Sequence, residues 1–446
     1  MAIKWPDGSR SVAIAPLATF RITFGLLMFV SLIRFWARGW ITEMYVKPSF
    51  HFTYWGFGWV QPLSDGGMHL LFLVLIVAAL LVAIGLFYRP AIVVFFLGFA
   101  YVELIDVTTY LNHYYFISLV AFLLAWLPAN RDYSLDARFD WVSRRTLTPL
   151  WTIGILRFQM ALVYIFAGLA KLDADWLLRA EPMKTWLPAK SHLPLIGPLM
   201  YEEWVAYLFS WFGAGYDLFI VFFLLNSKTR PAAYVFVLLF HGATALFFPA
   251  IGMFPYVMIF SSLIFFSGDF HTRLLSFFSS KTDLTTSEPY RFTYQNTLTA
   301  LAAVYLLFQL LFPLRFLLYP GKLFWTEQGY RFSWRVMLME KAGAAYFTVK
   351  DATEKKSYVV DNRKYLTKLQ ETMMSTQPDL ILNYASFLAG VFRKKGMAEP
   401  KVFAEVYVTL NGAPSRLFID STVNLAAKKV SWRPYDWVLP YENKMQ

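Results

Sequence analysis

Apolar and polar positions fall into long blocks over the first 318 of the 446 residues. Apolar runs long enough to cross a hydrocarbon core, about 20 residues each, lie near 13–33, 68–87, 90–110, 149–170, 203–225, 231–250 and 296–318. Two shorter runs, 113–128 and 252–267, are expected to span as well. These nine blocks predict a polytopic α-helical membrane protein with its two ends on opposite sides. After about residue 319 the pattern changes. Alternation at period two in Tyr346-Phe347-Thr348-Val349 and in Val402-Phe403-Ala404-Glu405-Val406-Tyr407-Val408, bounded by Asp351, Asn411-Gly412 and Pro414, predicts strands and hairpins. Between them, residues 361–395 place Tyr365, Leu366, Leu369, Met373, Ile381, Phe387 and Leu388 at helical spacing. The expected division is a transmembrane domain over residues 1–318 and a C-terminal extramembrane α+β domain with a β-sandwich-like sheet over residues 319–446.

Composition agrees, with 57% hydrophobic, 19% aromatic and 16% charged residues. The net charge of +12 is scattered over the ends of apolar runs and forms no basic tract, which argues against nucleic acid as a partner. The absence of cysteine excludes disulfides, thiolate chemistry, zinc-thiolate sites and Fe–S clusters. Lys4 and Arg10 precede an apolar run longer than a signal-peptide core and without a clear small-residue cleavage site, so this run reads as the first span. With nine spans, the segments on the N-terminal side carry Lys4 and Arg10, Arg89, Arg131, Arg138, Arg144 and Arg145, Lys228 and Arg230, then Arg273, Lys281 and Arg291. The positive-inside rule therefore puts the N-terminus in the cytoplasm, against the sign of Arg34 and Arg38, and puts His113, Lys171 and the tail outside.

Chemistry is sought where ionisable groups interrupt or end an apolar run, because each must find a partner or a function there. The uncharged stretch from Ala161 to Ala170 runs into Lys171-Leu172-Asp173-Ala174-Asp175-Trp176. A lysine at the mouth of an apolar helix loses hydration, which favours an amine base, while carboxylates close behind act the other way. The same residues also read as a span end, with Lys171 snorkelling, Asp173 and Asp175 in water and Trp176 in an aromatic belt. Glu103 and Asp106, three apart, are expected on one helical face, lining a polar cavity or paired with Arg or His. His113, at the turn Leu111-Asn112-His113-Tyr114-Tyr115, reads as a helix-start cap or as a catalyst. His241 lies mid-run and needs a partner. Arg157, Gln159 and Asp217, also within runs, form either an internal network or a cavity wall. The aromatic, glycine-rich loop 35–67 is a lid or an interfacial segment, and Pro249 to Pro255 is a tight turn or a broken helix. Motifs of phosphate cradles, zinc peptidases and serine hydrolases are missing, and no metal site is expected.

These pieces together resemble the vitamin K-dependent γ-glutamyl carboxylases and the bacterial proteins sharing their horizontally transferred transmembrane (HTTM) domain. The resemblance is carried by Asn112-His113, Pro128-Ala129-Asn130-Arg131 with Ser134-Leu135-Asp136, Leu156-Arg157, Ala167-Gly168 and the Lys171 to Trp176 hexapeptide. It continues through His241, Ile251-Gly252-Met253-Phe254-Pro255-Tyr256-Val257-Met258 and Gly329-Tyr330-Arg331-Phe332-Ser333-Trp334, in order over nearly the whole chain. It implies an enzyme of the bacterial cytoplasmic membrane, surrounded by lipid, in which reduced vitamin K (menaquinol or phylloquinol) is oxidised by O2 to its epoxide. The strong base generated on the way removes a γ-proton from a glutamate-containing protein or peptide, and CO2 adds. By the same resemblance Lys171 deprotonates the hydroquinone, His113 assists at the glutamyl carbanion, and Asn112, His241, Met253 and Tyr256 contact the quinol. The chain departs from the animal enzymes in four ways. Ala170 precedes Lys171 where they carry a lysine pair, their luminal cysteine bridge is absent, Leu314 follows Pro313 where they carry tyrosine, and the tail is shorter. The alternatives are an O2-dependent quinol epoxidase without carboxylation and a non-catalytic quinone- or lipid-binding scaffold.

Overall fold

A computed structural model describes residues 10–277 and 288–441. Seven of its helices are long and apolar enough to cross a membrane: Ala15–Ala37, Asp65–Ile84, Tyr88–Ile105, Leu150–Ala170, Glu203–Leu225, Arg230–Phe247 and Gln295–Leu318, the last ending in a 3₁₀ turn. Their ends follow local chemistry. Ser64 accepts from the Gly67 N–H at the start of Asp65–Ile84, and Gly85, at φ 68°, closes it in the left-handed conformation glycine adopts without strain. The two shorter expected runs form the apolar helices Asn112–Trp126 and Phe254–Phe265. The first, at 15 residues, rises about 22 Å, short of the about 30 Å hydrocarbon core. Packing among the first helices is close: a Cβ on Gly25 would stand 2.5 Å from the backbone N of Ala83.

The segments expected to carry inward-facing charge are gathered at one end of the bundle. Strand β1 (Ser11–Ala13) pairs antiparallel with β2 (Leu147–Pro149), Val12 opposite Thr148. Asp136 accepts from the Phe87 and Tyr88 N–H groups at 2.8 and 3.1 Å and from Asn130 at 2.7 Å, and the Tyr290 N–H reaches the Leu147 carbonyl at 2.9 Å. Arg157 spends its guanidinium on the Ile264 and Phe266 carbonyls. Gln159 accepts from Tyr305, so neither joins Asp217. Lys4 and Lys281 lie outside the described residues.

The tail docks on the opposite end. Strands β3 (Lys341–Lys350), β4 (Ser357–Val359), β5 (Lys401–Leu410) and β6 (Arg416–Leu417) form one antiparallel sheet in the order β4-β3-β5-β6, with Tyr346 opposite Glu405. Val402, Ala404, Val406, Val408 and Leu410 are buried while Glu405 and Tyr407 are exposed. The turn after β5 uses Asn411 and Gly412 at φ 49° and 71°. The expected sandwich is not formed among the described residues. The layer covering the sheet is the helix Pro378–Lys394, whose Tyr384 ring meets Phe347 at 4.9 Å. Its apolar residues recur at the helical period, so they present one stripe to one sheet face.

Docking is polar and specific. Gln370, from the capping box that starts Lys368–Met374, donates to Asp106 at 2.9 Å and to the Phe50 carbonyl at 2.7 Å. Asp106 is not on the helical face shared with Glu103, as expected from spacing: the helix ends at Ile105, and the buried Asp106 carboxylate accepts from Thr108 and contacts His51 at 3.2 Å. In the loop 35–67, Phe50 stacks on Phe387 at 4.3 Å beneath the tail, whereas Trp59 stands exposed. Asp175 is the central tie, accepting from Lys322 at 2.6 Å and Asn411 at 2.9 Å and pairing with Arg179. Asp175→Asn keeps an acceptor but loses the charge, and is expected to weaken docking by about 1–3 kcal/mol. The check is limited proteolysis after residue 318, which should accelerate while helical content stays constant.

Candidate active site

The helix Leu150–Ala170 ends at Lys171, its C-cap, where the carbonyl ends of the helix favour a cation. The side chain turns inward. Lys171 Nζ donates to Asp217 Oδ2 at 2.6 Å and to the Ala167 carbonyl at 3.4 Å, and lies 5.3 Å from the ring centroid of Trp176. The side chains of the pair are 6% and 9% exposed. The carboxylates next to Lys171 in sequence do not face it: Asp173 caps the helix Ala174–Arg179 and Asp175 ties down the tail. Trp176 is buried, its indole N–H on the Ser210 carbonyl at 2.6 Å, and stands in no aromatic belt.

Asp217 reaches Lys171 because two helices touch. At Gly168 a Cβ would lie 2.6 Å from the Leu218 backbone N and 3.0 Å from the Asp217 carbonyl carbon. Gly168→Leu is therefore expected to push Glu203–Leu225 away, at about 1–3 kcal/mol of stability, and to part the Lys171–Asp217 bond. Thermal unfolding and a crosslink between the two positions check both effects.

Lys171 and Asp217 stand on the wall of a cavity of about 540 Å³ that also takes in Tyr164, Trp176 and His241. Tyr164 Oη lies 3.1 Å from His241 Nε2 and 3.2 Å from Ser262 Oγ. The other ring nitrogen of His241, Nδ1, is buried without a hydrogen-bond partner among the described residues. Leu208, Phe212, Phe236 and Leu239 line this cavity and are also exposed on the outside of the bundle, so it opens sideways between Glu203–Leu225 and Arg230–Phe247.

His113 does not line that cavity. Together with Asn112 it lines a neighbouring one of about 250 Å³ between the bundle end and the tail. Phe254, Val336 and Met337 border both, and the Phe254 ring stands 6.0 Å from His113 and 5.8 Å from His241. Asn112 donates to the Arg335 carbonyl at 2.9 Å and accepts from Tyr110 at 3.1 Å, holding the tail against the helix start. Met253 and Tyr256 lie apart from both, on a third cavity with Arg34, Arg38 and Gly252. Among the described residues no cluster of His, Asp and Glu could hold a metal ion.

The HTTM domain model matches residues 9–270, and the model of the vitamin K-dependent gamma-carboxylase lumenal domain matches residues 294–444. No solved structure matches the chain. The first match alone covers more than half of the 446 residues, and its span contains Lys171, Asp217, His113 and His241 while the second contains the docked sheet. An HTTM bundle carrying this lumenal domain places the chain in the vitamin K-dependent γ-carboxylase family.

Proposed function

We propose that the protein is a quinol-dependent γ-glutamyl carboxylase in which Lys171 is the base toward the quinol. The family carries vitamin K-dependent carboxylase-like function, use of reduced vitamin K and glutamate-containing protein substrates. The observation that carries the finer reading is the buried Lys171–Asp217 pair on the wall of an apolar cavity open to the lipid side. That cavity suits a lipid-soluble menaquinol or phylloquinol: its mouth is apolar, and its wall includes His241, whose Nδ1 has no hydrogen-bond partner among the described residues. Reduced vitamin K bound there supplies, on oxidation by O2, the strong base that takes a γ-proton from glutamate before CO2 adds.

Lys171 passes its proton along the 2.6 Å bond to Asp217 Oδ2, and the amine so freed accepts the proton of a ring hydroxyl. Tyr164 and His241 provide a second hydrogen-bonding position. The aromatic walls exclude the water that would quench a strong base. His113 and Asn112, in the smaller cavity, serve the glutamate. The proposal includes nine spans, with Asn112–Trp126 and Phe254–Phe265 counted, a cytoplasmic N-terminus, and the division into a membrane domain over residues 1–318 and an outer domain over residues 319–446.

The test supplies purified protein with reduced vitamin K or menaquinol, O2, labelled bicarbonate and a short Glu peptide, and measures quinol epoxide and fixed label beside Lys171→Ala. Both products, lost in the variant, support the reading. Neither product in folded protein overturns it and leaves the scaffold. A second reading, quinol epoxidation without carboxylation, is favoured by the wall of Phe254, Val336 and Met337 between the cavities, and predicts epoxide without fixed label.

A further inference from the structure

Three basic side chains of the tail come near the His113 cavity, and two are already engaged. Lys341 is held by Glu327 at 2.8 Å. Arg331 donates to both Asp379 oxygens, at 2.5 and 3.2 Å, and to Gln377. Arg335 differs. It lines the cavity of about 250 Å³, is 9% exposed, and its Nε is buried with no hydrogen-bond partner among the described residues. The guanidinium lies 4.3 Å from the Phe316 ring centroid, a contact that supports the cation but satisfies no N–H. Of the acids near it, Glu327 is held by Lys341, and Asp173, which accepts the Asp175 N–H at 2.8 Å, acts on Arg335 through its charge and makes no hydrogen bond to it. The Arg335 backbone carbonyl is tied to Asn112, which fixes the residue beside the helix that carries His113.

A buried guanidinium whose Nε–H finds no hydrogen-bond partner among the described residues is costly, and its planar fork matches a carboxylate through two parallel hydrogen bonds. The cavity holds less than half the volume of the one beside Lys171, which suits a peptide side chain and not a quinol. We infer that Arg335 binds the side-chain carboxylate of the incoming glutamyl peptide, next to His113, in the cavity between tail and bundle. The naming of the ligand as glutamate rests on the carboxylase reading, whereas the carboxylate site rests on Arg335 itself.

The experiment uses the full chain in detergent, without quinol, and two labelled peptides that differ only in one Glu or Gln, with binding followed by fluorescence anisotropy. Wild type is expected to prefer the Glu peptide by about 10- to 150-fold, the range of a charged hydrogen bond. Arg335→Met should bind both alike, and Arg335→Lys should keep part of the preference. Equal binding by wild type, or an undiminished preference in folded Arg335→Met, overturns the inference. Should the methionine variant not fold, modification of wild-type Arg335 by phenylglyoxal decides. Slowing by the Glu peptide alone supports the site, and equal slowing by both peptides or by neither rejects it. A protein that forms no epoxide and fixes no label, yet loses its Glu preference in Arg335→Met, keeps the carboxylate site and refutes the carboxylase reading.

Discussion

Lys171→Met is expected to lower epoxide formation by about 10²- to 10⁴-fold, the contribution of a positioned proton acceptor. The same change should also destabilise the protein, because Asp217 is left as a buried carboxylate without its partner at 2.6 Å. Breaking one side of such a pair costs about 3–5 kcal/mol. Activity and stability must therefore be separated. The variant Lys171→Met with Asp217→Leu removes both charges, and apolar replacement of a buried pair is often neutral or stabilising. It should regain most of the stability and none of the activity. Asp217→Asn, in turn, keeps a hydrogen-bond acceptor for the amine but takes away the proton store, so its loss in epoxide should exceed its loss in thermal stability. If the double variant recovered epoxide formation along with its melting temperature, the pair would be structural and Lys171 would not be the base.

The apolar blocks were legible because a membrane imposes a length and a period that few other constraints override. Every long run became one helix. The ends were less so: spacing alone kept Asp106 on a helix with Glu103, whereas its carboxylate turns the chain out at Ile105. Lys171 was legible as a charge at a span end, but its partner was not. The sequence neighbours Asp173 and Asp175 drew attention, while the carboxylate that meets it is 46 residues away. The available signal was Asp217 itself, a lone acid in an apolar run, which must be paired. No local pattern announces that Gly168 is where the two helices touch. The tail's strands were readable from period-two alternation, but the sheet's covering layer was not. A helix stripe and a second sheet face supply the same apolar residues in different order, and only the spacing over 378–394 separates them.

Glu327→Ala is expected to destabilise the tail by about 3–5 kcal/mol. Lys341 Nζ is enclosed, its side chain 3% exposed, with Glu327 at 2.8 Å, the Trp325 carbonyl at 2.9 Å and the Phe418 ring beyond. Burial pushes the Lys341 ammonium below its ordinary value of 10.5, and Glu327 opposes that push. Without Glu327 the folded state releases the proton at still lower pH, while the unfolded chain keeps it to about 10.4. Between those two points the unfolded state binds more protons, so stability rises with pH there. The deficit of the variant should be full near neutral pH and should shrink as the solution becomes alkaline. A deficit that did not shrink in alkaline solution would show that Lys341 is not charged in the native tail. Replacing both residues, Lys341→Met with Glu327→Gln, should remove the pH dependence and most of the loss. The pair flanks the segment that carries Arg335, Val336 and Met337. Its rupture is therefore expected to disturb the wall between the two cavities as well as the sheet, and fixed label should fall more steeply than epoxide in the single variant.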